Sequence, residues 1–230
     1  TGLNSETAVI ASTVYIIVCV LCYMECIQEA IKYGKKQSEK LEIVTDESCE
    51  SPREWDNLTV IVTLKNNHNT IGDFQVNDSE ELRSMLKDHK AKYAMPLYIY
   101  DHSGISLKCF EDKVGYPYND QWDAGCIGMV YTTKKLLKDN GLDKYPKDKV
   151  IDQMKAEIET YSHWCNGECY GFVLSTLSKC DKCDQSNDKE IDSCYGFLGY
   201  NHDTNGLYDA VIENSKVFKS YKDIEELLMS

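Results

Sequence analysis

The chain is poor in proline and glycine, with 4 and 13 among its 230 residues, and that excludes a linker-rich or fibrous protein. It also lacks a basic excess. The formal charge is −13 and the sequence pI is about 4.8, whereas a nucleic-acid binder needs a lysine and arginine footprint that releases phosphate counterions. Direct nucleic-acid binding is therefore not expected, and an acidic surface suits a basic partner instead. There is no Gly-x-Ser-x-Gly elbow, no His-Glu-x-x-His pair and no phosphate loop. No internal repeat or low-complexity tract stands out. What is present is a hydrophobic fraction of 42% and a charged fraction of 27%, the composition of a folded chain with a real core.

The cysteines are numerous, at 11, and the odd count leaves at least one thiol outside any intramolecular disulfide set. Several sit in apolar, strand-like surroundings, where free cysteine behaves as a small hydrophobe. The expected compartment is a reducing one.

Near the start, Ala8 to Met24 carries no charge. A bilayer-spanning helix needs about 20 apolar residues, and the following Lys32, Lys35, Lys36 and Lys40 would place its C-terminal side in the cytoplasm. Ser12, Thr13, Cys19, Cys22 and Tyr23 dilute the run, and neither the basic start nor the cleavage site of a signal peptide is seen. The competing reading is a helix buried by partner subunits, with Val9, Ile10, Val14, Ile17 and Leu21 as the oligomerisation residues. Its amphipathic continuation predicts a helix running to Tyr33 and stopping at Gly34. The domain plan is then an apolar helix over 1–34, a connector with a short strand over 35–50, and an α+β domain over 51–230.

Within that domain the β-branched run Leu58 to Leu64 predicts a strand. Asp78-Ser79-Glu80-Glu81 opens a helix to Lys90, Met95 to Tyr100 and Ile105 to Phe110 form a hairpin, and Cys126 to Thr132 joins the same sheet. A short helix covers Thr133 to Asn140. A longer one covers Lys147 to His163, with Val150, Ile151, Met154, Ile158 and Tyr161 at helical spacing and facing a sheet. Glu168 to Leu177 and Glu190 to Phe197 are strands, and Gly206 to Ser215 and Tyr221 to Met229 are helices. The order predicts an α+β fold, a mostly antiparallel sheet covered by helices.

Asp101-His102-Ser103 names three catalytic residue types in a row, but neighbours on a strand point to opposite faces, so they do not form a triad, which is defined by spatial geometry. An Asp101 and His102 pair serving acid–base chemistry or a metal is one alternative, and a capped turn closed at Gly104 is the other. Cys180 and Cys183 have the spacing that lets two thiolates reach one zinc, with Cys169 and Cys194 completing a set and Cys165 nearby. A local disulfide or free thiols are the competing readings. Aromatics gather around the sheet, and Tyr116, Tyr118 and Trp164, with Glu111, Asp112 and Asp120, make a candidate partner-binding surface, since Tyr and Trp dominate interface hot spots.

Four ordered segments then carry a resemblance: Ser51-Pro52-Arg53-Glu54-Trp55-Asp56-Asn57-Leu58, Pro96-Leu97-Tyr98-Ile99-Tyr100-Asp101-His102-Ser103-Gly104-Ile105, Trp122-Asp123-Ala124-Gly125-Cys126-Ile127-Gly128 and Asp192-Ser193-Cys194-Tyr195-Gly196-Phe197. Together they resemble a family of proteins carried by bacteriophages and other mobile elements. Ala124 and Cys126 stand where that pattern has Ser and Gln, and Tyr195 where it has Trp. The resemblance implies a non-enzymatic counter-defence factor in the host bacterial cytoplasm, an inhibitor of an immune complex such as the Gabija nuclease system, with no cofactor. A metal-binding or hydrolytic enzyme and a membrane-anchored accessory protein are the alternatives.

Overall fold

The structure is a computed structural model that describes residues 32–36, 39–65, 71–102, 104–111, 122–176 and 188–228. The apolar run over 8–24, with its expected oligomerisation residues, lies outside them. Among the described residues no helix is long and apolar enough to cross a membrane. The fold is α+β, and it divides into two compact units, Ser48–Cys169 and the combination of Thr1–Glu47 with Tyr170–Ser230.

In the first of these units a five-stranded sheet has the order β4-β3-β7-β5-β6. Strand β3 (Val60–Leu64) is the β-branched run, and β4 (Phe74–Val76) pairs with it in parallel. Helix α1 (Ser79–Asp88) starts where Asp78 accepts the backbone N–H groups of Glu80 and Glu81 at 2.9 Å each, satisfying two donors the first turn leaves open. Strands β5 (Ala91–Asp101) and β6 (Ile105–Cys109) form the expected hairpin, and β7 (Ala124–Thr133) lies antiparallel between β3 and β5.

One contact fixes the register of that centre. A Cβ on Gly128 would lie 2.0 Å from the Val62 carbonyl oxygen and 2.8 Å from the Thr63 Cα, so only glycine lets β7 approach β3 so closely. The ladder between β5 and β7 also shifts register at Leu97 and Tyr98, the mark of a bulge that re-aims the strand beyond it.

Short helix α2 (Lys134–Asp139) follows β7, and α3 (Lys147–Cys165) covers the sheet. Val150, Ile151, Met154, Ile158 and Tyr161 are buried against Leu97, Ile99, Leu107 and Val130, as the helical spacing predicts. Each such side chain contributes about 1.5–3 kcal/mol by leaving water. A smaller cluster of Val62, Val76, Leu82 and Tyr131 includes the buried residue of α1.

In the other unit, β1 (Lys32–Lys36), β2 (Glu39–Thr45), β8 (Cys169–Thr176) and β9 (Lys189–Leu198) form a sheet in that order. Leu41 pairs with Leu174 and Ile43 with Phe172. These four pack with Leu207 and Val211 of α4 (Leu207–Asn214), Phe218, and Ile224 of α5 (Tyr221–Leu228). Buried Glu39 is satisfied by Ser215 Oγ at 2.5 Å and by the N–H groups of Lys216 and Val217 at 3.1 and 3.3 Å.

Two expectations are corrected. Lys32 and Tyr33, expected to end the first helix, lie in β1 because the backbone there is paired with Ile43 and Glu42 of β2; antiparallel pairing overrides the amphipathic pattern that continues into them. The reduced state expected of the cysteines does not hold for Cys49 and Cys169, which form a disulfide. That bond joins residues 120 apart in sequence and lies at the two ends of the Ser48–Cys169 unit.

Candidate functional site

Three of the four motif segments fall in the Ser48–Cys169 unit, and they do two different things. The first makes a buried clasp. Pro52–Glu54 forms a 3-10 turn that Ser51 caps, its hydroxyl accepting the Arg53 N–H. The turn aims the Arg53 guanidinium inward, where it donates to both Asp73 oxygens at 3.0 and 2.7 Å, to the Thr59 carbonyl at 2.7 Å and to Glu157 Oε1 at 2.7 Å. Its carbon lies 5.9 Å from the Tyr161 ring centre. Burial alone would lower the Arg53 pKa, but hydrogen bonds and charge from Asp73 and Glu157 outweigh it and raise the value. Glu157 in turn accepts the N–H groups of Leu58 at 2.8 Å and Thr59 at 3.2 Å, and Asp73 accepts that of Ile61 at 2.8 Å. Here the chemistry is structural: the planar fork finds carboxylates placed to receive it.

The second and third segments meet at the far end of β5 and the start of β7. The Asp101 N–H donates to the Asp123 carbonyl at 2.8 Å, so the two loops are tied together. Across that tie His102 Nε2 lies 3.9 Å from Asp123 Oδ2, with the histidine side chain 62% exposed. An aspartate from the other motif is thus a charged neighbour of His102. Ser103 lies outside the described residues. Beside Asp123 stands Trp122, 96% exposed. Asp101, His102, Trp122 and Asp123 make an acidic, aromatic tip.

The edge strand next to this tip is closed to other strands. The N–H of Leu107 donates to Ser162 Oγ at 2.8 Å and that of Ile105 to Asn166 Oδ1 at 3.2 Å, so side chains from α3 and its C-cap occupy the ladder positions of β6. A covered edge does not recruit a further strand. Gly104 is part of this arrangement, since a Cβ there would meet Asn166 Oδ1 at 2.3 Å.

Of the residues expected to bind a partner, Tyr116, Tyr118, Asp112 and Asp120 lie outside the described residues. Glu111 pairs with Lys147 at 2.6 Å. Trp164 is turned inward: its indole N–H donates to the Cys49 carbonyl at 3.0 Å and its ring stacks on Tyr161 at 6.0 Å, so the internal acceptor has claimed it. Of the expected metal ligands, Cys180 and Cys183 lie outside the described residues, Cys194 is exposed on β9, and Cys169 is buried in the disulfide and has no thiolate to offer. The fourth motif segment lies on β9, where the Tyr195 ring sits over Gly171, at which a Cβ would come within 2.3 Å of it. Trp122 belonged to the central motif but was not singled out; its signal was its place between a turn and a strand beside an aspartate.

No family model matches the chain, and comparison with curated proteins and with solved structures found no match.

Proposed function

We propose that this protein is a non-enzymatic viral counter-defence factor that binds a bacterial immune complex, the Gabija nuclease, and blocks its DNA binding or activation. The observation that carries the reading is the tie between Asp101 and Asp123, which presents Trp122 and two carboxylates on one tip. A tryptophan anchor among acids is the surface a protein that normally grips DNA would meet with its own basic residues. The charge of −13 adds long-range attraction to such a partner. The His102 and Asp123 pair belongs to this surface.

The test is DNA cleavage by the purified Gabija complex, measured against rising concentrations of the protein. Inhibition that falls as salt is raised, with Trp122→Ala shifting the half-inhibitory concentration by about tenfold or more, supports the reading. Full cleavage in the presence of excess protein overturns it.

A further inference from the structure

A second surface, away from the tip, has a chemistry of its own. The Trp55–Leu58 stretch, the Asn140 turn and the outer face of α3 enclose a groove of about 420 Å³. Glu157 is among its lining residues, but that carboxylate is committed to Arg53 and to the N–H groups of Leu58 and Thr59. The amide of Asn57 spends its N–H donors on the carbonyls of Pro52 and Trp55, at 3.1 and 2.8 Å, and that of Asn140 spends one on Leu136 at 3.0 Å. Both residues line the groove, and no donor to their side-chain oxygens is seen among the described residues. Asp56 adds a carboxylate and Gln153 an amide, neither with a hydrogen-bond partner among the described residues. Trp55, 52% exposed, supplies a ring on one wall.

The lining therefore offers amide oxygens, the Asp56 carboxylate and an aromatic face, with Gln153 and the second Asn140 N–H as its amide donors. No lysine or arginine is among the lining residues, so a phosphate or carboxylate would meet no cation there and would face the Asp56 charge. A guanidinium matches on each count: five donors and no acceptor, a planar charge that stacks on aromatic faces, and a fork that fits a carboxylate. The missing cation also decides the source of the ligand, because the α-carboxylate of free arginine would find no counterion here. We infer that the groove is a receptor for an arginine side chain presented by a partner polypeptide. This deepens the partner-binding reading by naming a side chain it would capture, yet the groove is read out with no nuclease present.

The probe is Nα-acetyl-arginine amide, titrated into the full chain while the Trp55 indole N–H resonance is followed by NMR, assigned by its loss in Trp55→Phe. A saturable shift with a dissociation constant on the order of 1 mM is expected for one captured side chain. It should weaken about tenfold in Asp56→Asn, whose unshifted Trp122 and Trp164 signals report an intact fold, and about tenfold for the neutral citrulline analogue. Free arginine should bind no tighter than the amide. Equal binding of the citrulline or lysine analogue, tighter binding of free arginine, or no saturable shift at about ten times that concentration each overturns the inference. Failure of the protein to inhibit Gabija, with this titration intact, would remove the named target and leave the groove.

Discussion

The Arg53 clasp and the Trp122 tip lie in one unit and both hold charged residues of the motif segments, yet they differ in how far the fold covers them. Around Arg53 the charges are sunk: its side chain is 10% exposed and is paired with two carboxylates that also hold backbone N–H groups of the Leu58–Ile61 stretch. At the tip the His102 and Asp123 side chains are 62% and 40% exposed and 3.9 Å apart, beside the backbone hydrogen bond from Asp101 to Asp123. A charged motif in a sequence is thus not a guide to function until its partners are known. The clasp spends its charges on the fold, whereas the tip carries its charged side chains nearer to solvent.

The most direct way to break this contrast is to remove Arg53. In Arg53→Ala two carboxylates that are 23% and 15% exposed lose their counterion while still held near the sheet. Breaking a buried pair from one side costs about 3–5 kcal/mol, and urea unfolding should show a loss of that size. A loss under about 1 kcal/mol would put the clasp in the class of surface ion pairs and erase the distinction.

A smaller effect separates the buried core from the surface by pH. Burial pushes the Cys109 thiol from 9.0 up to about 12, and it pushes the Tyr161 hydroxyl from 10.0 up to about 12. Both groups therefore keep their protons in the folded state at a pH where the unfolded chain has released them. Their contribution to stability is complete below pH 9.0 and declines as pH rises from there toward about 12. Urea midpoints measured at rising alkaline pH should fall across that window. In Cys109→Ala the decline should be shallower but begin at the same pH, because burial also pushes the Cys165 thiol from 9.0 up to about 11. A midpoint independent of pH over this range would mean that these groups are as well solvated folded as unfolded.

How much of this was legible in the sequence follows the range of the forces. The β-branched Val60–Leu64, the Asp78 cap and the Ile151, Met154, Ile158 stripe are local signals, and each became the expected element. Arg53 was visible only as part of a motif, because its partners Asp73 and Glu157 lie 20 and 104 residues away. The three-residue strand β4 has no apolar alternation to announce it; its place follows from Asp73, whose N–H donates to the Ile61 carbonyl and whose carboxylate accepts the Ile61 N–H. Strand β1 reads Lys-Tyr-Gly-Lys-Lys and is a strand only through β2. Trp164 was expected at the surface because aromatic residues favour interfaces, and the carbonyl that draws it inward belongs to Cys49, far back in the chain. The tip was half legible: its Asp, His and Trp were noted, but not that Asp101 and Asp123 would be joined.

The smallest expected effect is the one that sharpens the contrast most. His102→Ala and Trp122→Ala remove side chains that are mainly in water, and substitutions of that kind change stability by about 0.5 kcal/mol or less. Their urea midpoints should overlay that of the parent, while their inhibition of the nuclease falls. That combination cannot arise from misfolding, since the molecule that fails to inhibit is as stable as the one that succeeds. If His102→Ala instead lost stability on the scale of Arg53→Ala, the 3.9 Å approach to Asp123 would be fastening the two loops. The tip would then be a second clasp, and the arginine-accepting groove beside Trp55 would become the surface to pursue.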